Sequence, residues 1–160
     1  MDPRIAPLAE LLRINRKLYS NCLDGLAEDQ AMLRPAPDAN SAAYVAAHMV
    51  ESRYYLLAQL GTKRKSPLRD RVGWKSLIEI TTWPSLDEVK AAWADASEAL
   101  DQRLRAMTPQ EADKPVESQF PIETKTTLGV LAFMVQHDSY HLGQLSLLRK
   151  TCGLPAMSYS

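Results

Sequence analysis

The chain has 160 residues with 19 basic and 19 acidic side chains, so it carries no formal net charge at neutral pH. Its length fits one domain with a substantial core, and 46% hydrophobic with 24% charged residues is typical of a folded globular protein. The balanced charge gives no support for nucleic-acid binding, and two cysteines are too few for a disulfide scaffold or a four-cysteine zinc site.

Apolar residues recur at helical spacing along most of the chain. The first predicted helix covers about 4–25 and is followed by a proline-marked loop at 33–40. The second helix follows a cap at Asn40 or Ser41 and ends near Leu60, because these side chains can accept hydrogen bonds from unpaired amides of the first turn.

A long irregular connection is predicted at 62–84, where the stretch 77–80 is ambiguous between a short helix and an extended segment. The capping-box pair Ser85 and Glu88 predicts the start of a third helix, which continues past residue 100. A connection of this length could cross a helical bundle, and a simple up-down-up-down chain would not need it.

The last third of the chain predicts a short helical turn at 108–111 and a fourth long helix at about 126–152. Between them, residues 115–125 give weak support for a pairing of two short extended pieces. Four long amphipathic helices predict an all-α fold, a single four-helix bundle domain over residues 1–160.

The N-terminal sequence, the lengths of the apolar stretches and the two cysteines together predict a cytoplasmic protein. The start at 1–7 lacks the apolar core of a signal peptide, and no stretch approaches the roughly 18 apolar residues of a membrane span. We expect Cys22 and Cys152 to be small buried side chains with reduced thiols rather than nucleophiles.

The three histidines are the strongest chemical signal in the chain. His137 and His141 are four residues apart and therefore lie on one face of the fourth predicted helix, within its apolar stripe. His48 lies among inward positions of the second helix. If these helices are neighbours, three neutral imidazoles could bind one divalent cation and leave a coordination position open for a water or a thiol.

Two alternatives weaken this interpretation when spacing alone is considered. A buried histidine is usually a hydrogen-bonded core residue, and an i, i+4 pair also arises by chance. Asp138 replaces the glutamate that follows the first histidine in metalloproteases, which argues against peptide hydrolysis of that type. Asp138 points about 100° away from His137 on a helix, so we expect it at the surface.

The segment 137–149, HDSYHLGQLSLLR, resembles the final-helix signature of the DinB/YfiT-like superfamily. The segment 46–49, AAHM, resembles the second helix of the same family. The resemblance covers nearly the whole chain and implies a four-helix bundle in which His48, His137 and His141 hold a divalent metal, zinc or nickel. It also implies a homodimer.

Known activities of the family define two hypotheses. The first is a metal-dependent enzyme that activates a low-molecular-weight thiol or a water, as a thiol S-transferase or a hydrolase acting on a small molecule. The second is a non-catalytic, stress-related metal-binding dimer. Neither hypothesis involves a nucleic acid or a membrane.

Weaker candidates surround the histidines. Glu51 and Gln144 are the weak catalytic candidates, since each lies one turn from a histidine. The basic run at 63–71 could form a mouth for an anionic substrate, although a solvated loop is favoured. Finally, the tryptophans are expected in the core or at a dimer contact; they are Trp74, Trp83 and Trp93.

Overall fold

Helices make up almost all regular structure in the computed structural model, which describes residues 2–159. The helices are α1 Ala6–Leu23, α2 Glu28–Met32, α3 Ala42–Gln59, α4 Leu86–Ala106, α5 Pro109–Ala112 and α6 Thr127–Thr151. A single 3-10 turn covers Leu77–Glu79, and an isolated antiparallel bridge joins Pro115 to Thr126. The all-α prediction is therefore confirmed.

Helix boundaries follow local capping chemistry. The four predicted long helices are α1, α3, α4 and α6, and the starts of α3, α4 and α6 coincide with side-chain caps. The hydroxyl groups of Ser41, Ser85 and Thr126 each accept a hydrogen bond from an amide of the first turn. The short helix α2 was not predicted, because Ala27 at its N-cap offers no side-chain acceptor.

The four long helices form a square in which each contacts two neighbours. Helix α3 packs against α4 and α6, and α1 packs against the same two. Arg53 contacts Ser97, and Leu60, further along the chain at the end of α3, contacts Arg103, which is further along α4. Helices α3 and α4 are therefore parallel. The long connection at 60–85 is required because the chain must return along the bundle before α4 begins.

Aromatic packing forms the centre of the bundle. Trp93 of α4 is 1% exposed, and its ring stacks on that of Tyr19 at 3.9 Å between centroids. The Tyr19 hydroxyl donates to the carbonyl of Ala46 at 3.0 Å and so satisfies a buried polar group. Trp93 thus lies in the core, as expected.

Asp138 corrects the sequence prediction, because it is only 1% exposed rather than at the surface. Its carboxylate accepts hydrogen bonds from the guanidinium of Arg53 at 2.9 and 3.1 Å. In a square bundle α6 contacts both α1 and α3, so a residue 100° from the histidine stripe still faces the interior. The pair places two opposite charges in the core.

None of the helices in residues 2–159 combines the length and apolar character that a membrane span requires.

Candidate metal centre

The antiparallel packing of α3 against α6 brings the three histidines together. His48 is at the middle of α3, and His137 and His141 lie one turn apart on α6. The Nε2 atom of His137 is 3.2 Å from Nε2 of His48 and 3.2 Å from Nε2 of His141. Helix packing thus supplies the neighbour relation that spacing could not establish.

The separation of these nitrogens fits a metal ion. Nitrogen ligands of a tetrahedral zinc ion, with Zn–N distances of about 2.0–2.1 Å, lie about 3.3 Å from one another. The ligand atoms of the three histidines all lie within 4.8 Å of one another, and the three rings are half-buried. The cluster could therefore hold a divalent cation.

Gln144 orients one of the rings. Its Oε1 atom accepts a hydrogen bond from Nδ1–H of His141 at 2.7 Å, which leaves the Nε2 lone pair of His141 directed at the cluster. The amide nitrogen of Gln144 donates to the hydroxyl of Tyr140 at 3.3 Å. Metal-binding histidines use such an acceptor to define tautomer and ring orientation.

Burial favours the neutral forms of His48 and His137, the form that binds a metal. Desolvation, with the nearby His141, lowers the pKa of His48 to about 4. Desolvation also lowers the pKa of His137 to about 4, with contributions from both other rings. Nδ1 of His137 is buried without a hydrogen-bond partner in residues 2–159. The polar contacts of the His137 ring are therefore made by its Nε2 atom, which faces the other two histidines.

A cavity of about 640 Å³ opens beside the cluster. His48 and His137 form part of its wall, so a ligand in the cavity can reach the histidines. The remaining wall combines four aromatic or apolar side chains with four polar ones. These other lining residues are Ser52, Tyr55, Trp74, Glu117, Ser118, Gln119, Phe120 and Met134.

A family model described as the DinB superfamily matches residues 11–145. The chain belongs to the DinB superfamily. The match covers most of the chain, including all three histidines, and confirms the resemblance drawn from the sequence. No curated protein matches the chain.

In this DinB protein, Glu51 lies behind the histidine cluster. Its carboxylate is fully buried, accepts a hydrogen bond from the Ser66 hydroxyl and lies 3.4 Å from Nε of Arg69. Desolvation raises the pKa of Glu51, and its hydrogen bond to Ser66 opposes that shift. No hydrogen bond in residues 2–159 joins Glu51 to a histidine, and its contacts with Ser66 and Arg69 join α3 to the crossover connection.

The basic run lies on the bundle as a paired connection. Arg64 contacts Asp95 at 2.7 Å, and Arg71 contacts Glu88 at 2.6 Å. Lys65 pairs with Asp70 at 3.0 Å. Because these cations already have carboxylate partners, the geometry favours a solvated connection over an anion-binding mouth.

Several wall residues escaped prediction. Trp74 is 56% exposed beside His48, so of the two expected positions, the core or a dimer contact, the core is excluded. Glu117 and Phe120 come from the irregular segment between α5 and α6, which has no periodic pattern to mark it. Gln144, which contacts His141 outside this wall, did have a signal, because its i+3 spacing from His141 placed it on the same helix face.

Proposed function

We propose that this DinB protein is a metal-dependent enzyme in which His48, His137 and His141 bind zinc or nickel. The observation that carries the proposal is the opening of the three-histidine cluster onto a cavity of about 640 Å³. Structural metal sites are closed by four protein ligands, whereas catalytic sites keep a position for a water or substrate.

A bound divalent cation supplies Lewis acidity, which lowers the pKa of a thiol or a water in its open position. The protein supplies orientation and access for a small molecule. Gln144 defines the tautomer of His141, and the cavity leads to His48 and His137. His48 and His137 are neutral at neutral pH and require no proton loss before they bind a cation.

The site favours a thiol over a water as the nucleophile. A thiol is deprotonated outright on a metal, whereas a metal-bound water has a pKa of about 7 and is only partly ionised at neutral pH unless a base lies close by. Glu117 is the one carboxylate among the lining residues, and it is exposed at the rim. Glu51 is engaged with Ser66 and Arg69.

The proposed reaction is therefore transfer of a low-molecular-weight thiol to an electrophilic small molecule. The thiol sulfur forms a bond to the electrophilic carbon while the bond from that carbon to the leaving group breaks. The leaving group takes that electron pair, and the thiol proton passes to solvent. The reaction consumes no oxidant or reductant.

Metal content tests the site directly. We expect one zinc or nickel per chain by elemental analysis of the purified protein, loss of the metal in His141→Ala, and retention in Gln136→Ala, an exposed control on the same helix. Circular dichroism verifies that both variants are folded. A folded wild-type protein that contains no metal and binds neither added zinc nor added nickel would refute the proposal.

Gln144 provides a finer test of the arrangement. Gln144→Ala is expected to weaken zinc affinity by about 10- to 100-fold, because His141 loses the acceptor that orients it. Gln144→Glu retains an acceptor at the same position and is expected to preserve most of the affinity. Competition with a chromogenic chelator measures both, and equal affinity of Gln144→Ala and wild type would contradict this role.

Turnover tests the reaction class. A panel of thiols with 1-chloro-2,4-dinitrobenzene as electrophile is expected to give thioether product with at least one thiol. Activity should disappear after chelation and return when metal is restored. If no thiol reacts while the metal remains bound, the transferase assignment is wrong.

An exposed apolar face favours a second candidate, a non-catalytic metal-binding dimer. Leu11 and Ile14 of α1 are 44% and 37% exposed, and Tyr140 and Leu147 of the adjacent α6 are 58% and 63% exposed. A patch of this kind on neighbouring helices is suited to a second copy of the chain. Metal-dependent dimerisation in sedimentation experiments, without turnover of any thiol, would support this candidate.

A further inference from the structure

The cavity beside the histidines is lined by three aromatic rings and one carboxylate, that of Glu117. We propose that it binds a ligand with an aromatic ring in its interior and a positively charged or uncharged substituent at its rim, where Glu117 disfavours an anionic substituent. This inference deepens the proposed function by naming the class of the electrophilic substrate, but it rests on the cavity wall and not on the metal.

Three aromatic rings define the interior of the cavity. Tyr55 of α3 lies between Trp74 and Phe120, with centroid distances of 5.8 and 5.9 Å and interplanar angles of 82° and 76°. Phe120 in turn stacks on Phe133 of α6 at 4.3 Å. Edge-to-face and offset arrangements of this kind are those that aromatic rings prefer, so a planar ring is a suitable occupant.

Trp74 is held in place although it is 56% exposed. The guanidinium carbon of Arg69 lies 5.5 Å from the centroid of its ring, within the range of a cation–π contact. Arg69 is itself paired with the buried Glu51. The indole is thereby fixed as a wall beside His48, with centroids 6.2 Å apart, and a ligand can pack against it without ordering it first.

Charge at the rim is set by Glu117. It is the one formally charged carboxylate among the lining residues, and no ion pair in residues 2–159 involves it. Arg69, the cation beside Trp74, is paired with Glu51. An ammonium or neutral group at the rim is therefore compatible with Glu117, whereas a carboxylate or phosphate would be repelled.

The cavity is also of suitable size. A volume of about 640 Å³ lies within the roughly 300–1,000 Å³ of small-molecule sites. A wall that combines aromatic and apolar side chains with a small number of polar groups is the usual composition of such sites. The adjacent histidines at one end leave the ring of a ligand beside the position where a thiol would be held.

Three isosteric probes test the inference in protein treated with a chelator, so that direct ligation of a metal cannot contribute. These are 3-phenylpropan-1-amine, 3-phenylpropan-1-ol and 3-phenylpropanoate, titrated by calorimetry at low ionic strength. We expect the amine to bind about fivefold more tightly than the acid, with the alcohol between them. Added salt should reduce this difference because the carboxylate is exposed.

Substitutions in the cavity and outside it provide the controls. Glu117→Gln should abolish the preference for the amine, whereas Glu123→Gln, an exposed carboxylate of the same segment outside the cavity wall, should retain it. Trp74→Ala should weaken all three probes by about two- to tenfold. Circular dichroism and thermal unfolding establish that each variant is folded.

The outcomes separate this inference from the proposed function. Equal binding of acid and amine, or a preference that survives Glu117→Gln, would overturn the inference. A protein that shows the preference but holds no metal in its purified state would refute the proposed enzyme and leave the cavity assignment intact. A protein that holds metal and turns over thiols without the preference would refute only the cavity assignment.

Discussion

The buried ion pair between Arg53 and Asp138 connects all four long helices and allows a quantitative test. Both side chains are 2% exposed, and Nη2 of Arg53 lies 2.9 Å from Oδ2 of Asp138. The guanidinium also donates to the carbonyl of Leu12 and the hydroxyl of Ser97, and lies 3.6 Å from the centroid of the Trp93 ring. Its removal therefore affects α1, α4 and α6 together.

Replacing one member of the Arg53–Asp138 pair should lower the free energy of unfolding much more than replacing both. Asp138→Asn leaves a buried guanidinium without its counter-charge, so we expect the free energy of unfolding to fall by about 3 kcal/mol or more. Desolvation lowers the pKa of Arg53 and raises that of Asp138, which shows that burial disfavours both charges. The double substitution Arg53→Met with Asp138→Leu should therefore recover at least half of the loss.

Urea denaturation followed by circular dichroism measures these differences, since an unchanged m-value indicates that only stability has changed. The exposed pair Lys65–Asp70, with side chains 68% and 83% exposed, supplies the control. Asp70→Asn should have no measurable effect, because exposed pairs contribute little.

A decrease in the free energy of unfolding below about 1 kcal/mol for Asp138→Asn would refute the reasoning, because a buried charge without a counter-charge destabilises the fold by more than this. A double variant less stable than Asp138→Asn alone would also contradict it. In that case the pair would contribute net stability rather than orientation between helices.

Two further predictions concern the histidines and the entry into α6. In metal-free protein the pKa of His48 and of His137 is about 4, below the ordinary 6.5, so the unfolded chain takes up protons first as pH falls. The contribution of these two histidines to the free energy of unfolding should be complete above about pH 6.5 and be lost towards pH 4. If the free energy of unfolding falls equally steeply with pH in the double variant His48→Gln with His137→Gln, this prediction is contradicted. A Cβ at Gly129 would lie 2.0 Å from the Thr124 carbonyl oxygen, whereas Gly143 has open space around it. Thermal unfolding should show that Gly129→Ala destabilises by about 1–3 kcal/mol and Gly143→Ala stabilises by about 0.5–1 kcal/mol, and equal signs would refute the contrast.

Much of the fold could be predicted because its signals are local. Ser41, Ser85 and Thr126 mark helix starts through hydrogen bonds to amides three residues away, which a single sequence displays. The capping box of α5 at 108–111 is equally local. Helix α2 was missed since Ala27 lacks such a signal, and its amide is satisfied by the side chain of Gln30 at 3.1 Å.

The error at Asp138 shows where local reasoning stops. Helical geometry gives the angle between Asp138 and His137, but it does not state how many sides of α6 are covered. Its partner Arg53 is 85 residues away, and the bundle alone brings the two charges within 2.9 Å. The position of Trp74 depends in the same way on the path of the crossover connection.

By itself, the sequence determined the helix periodicity, the helix caps and the i, i+4 pair His137–His141, because each depends on residues within one or two turns. Only the tertiary structure decided that His48, 89 residues before His137, lies 3.2 Å from it. It also decided that the crossover connection and the segment at 117–120 enclose one cavity. These are contacts between distant parts of the chain, and they are set by how apolar helix faces pack together rather than by any local pattern.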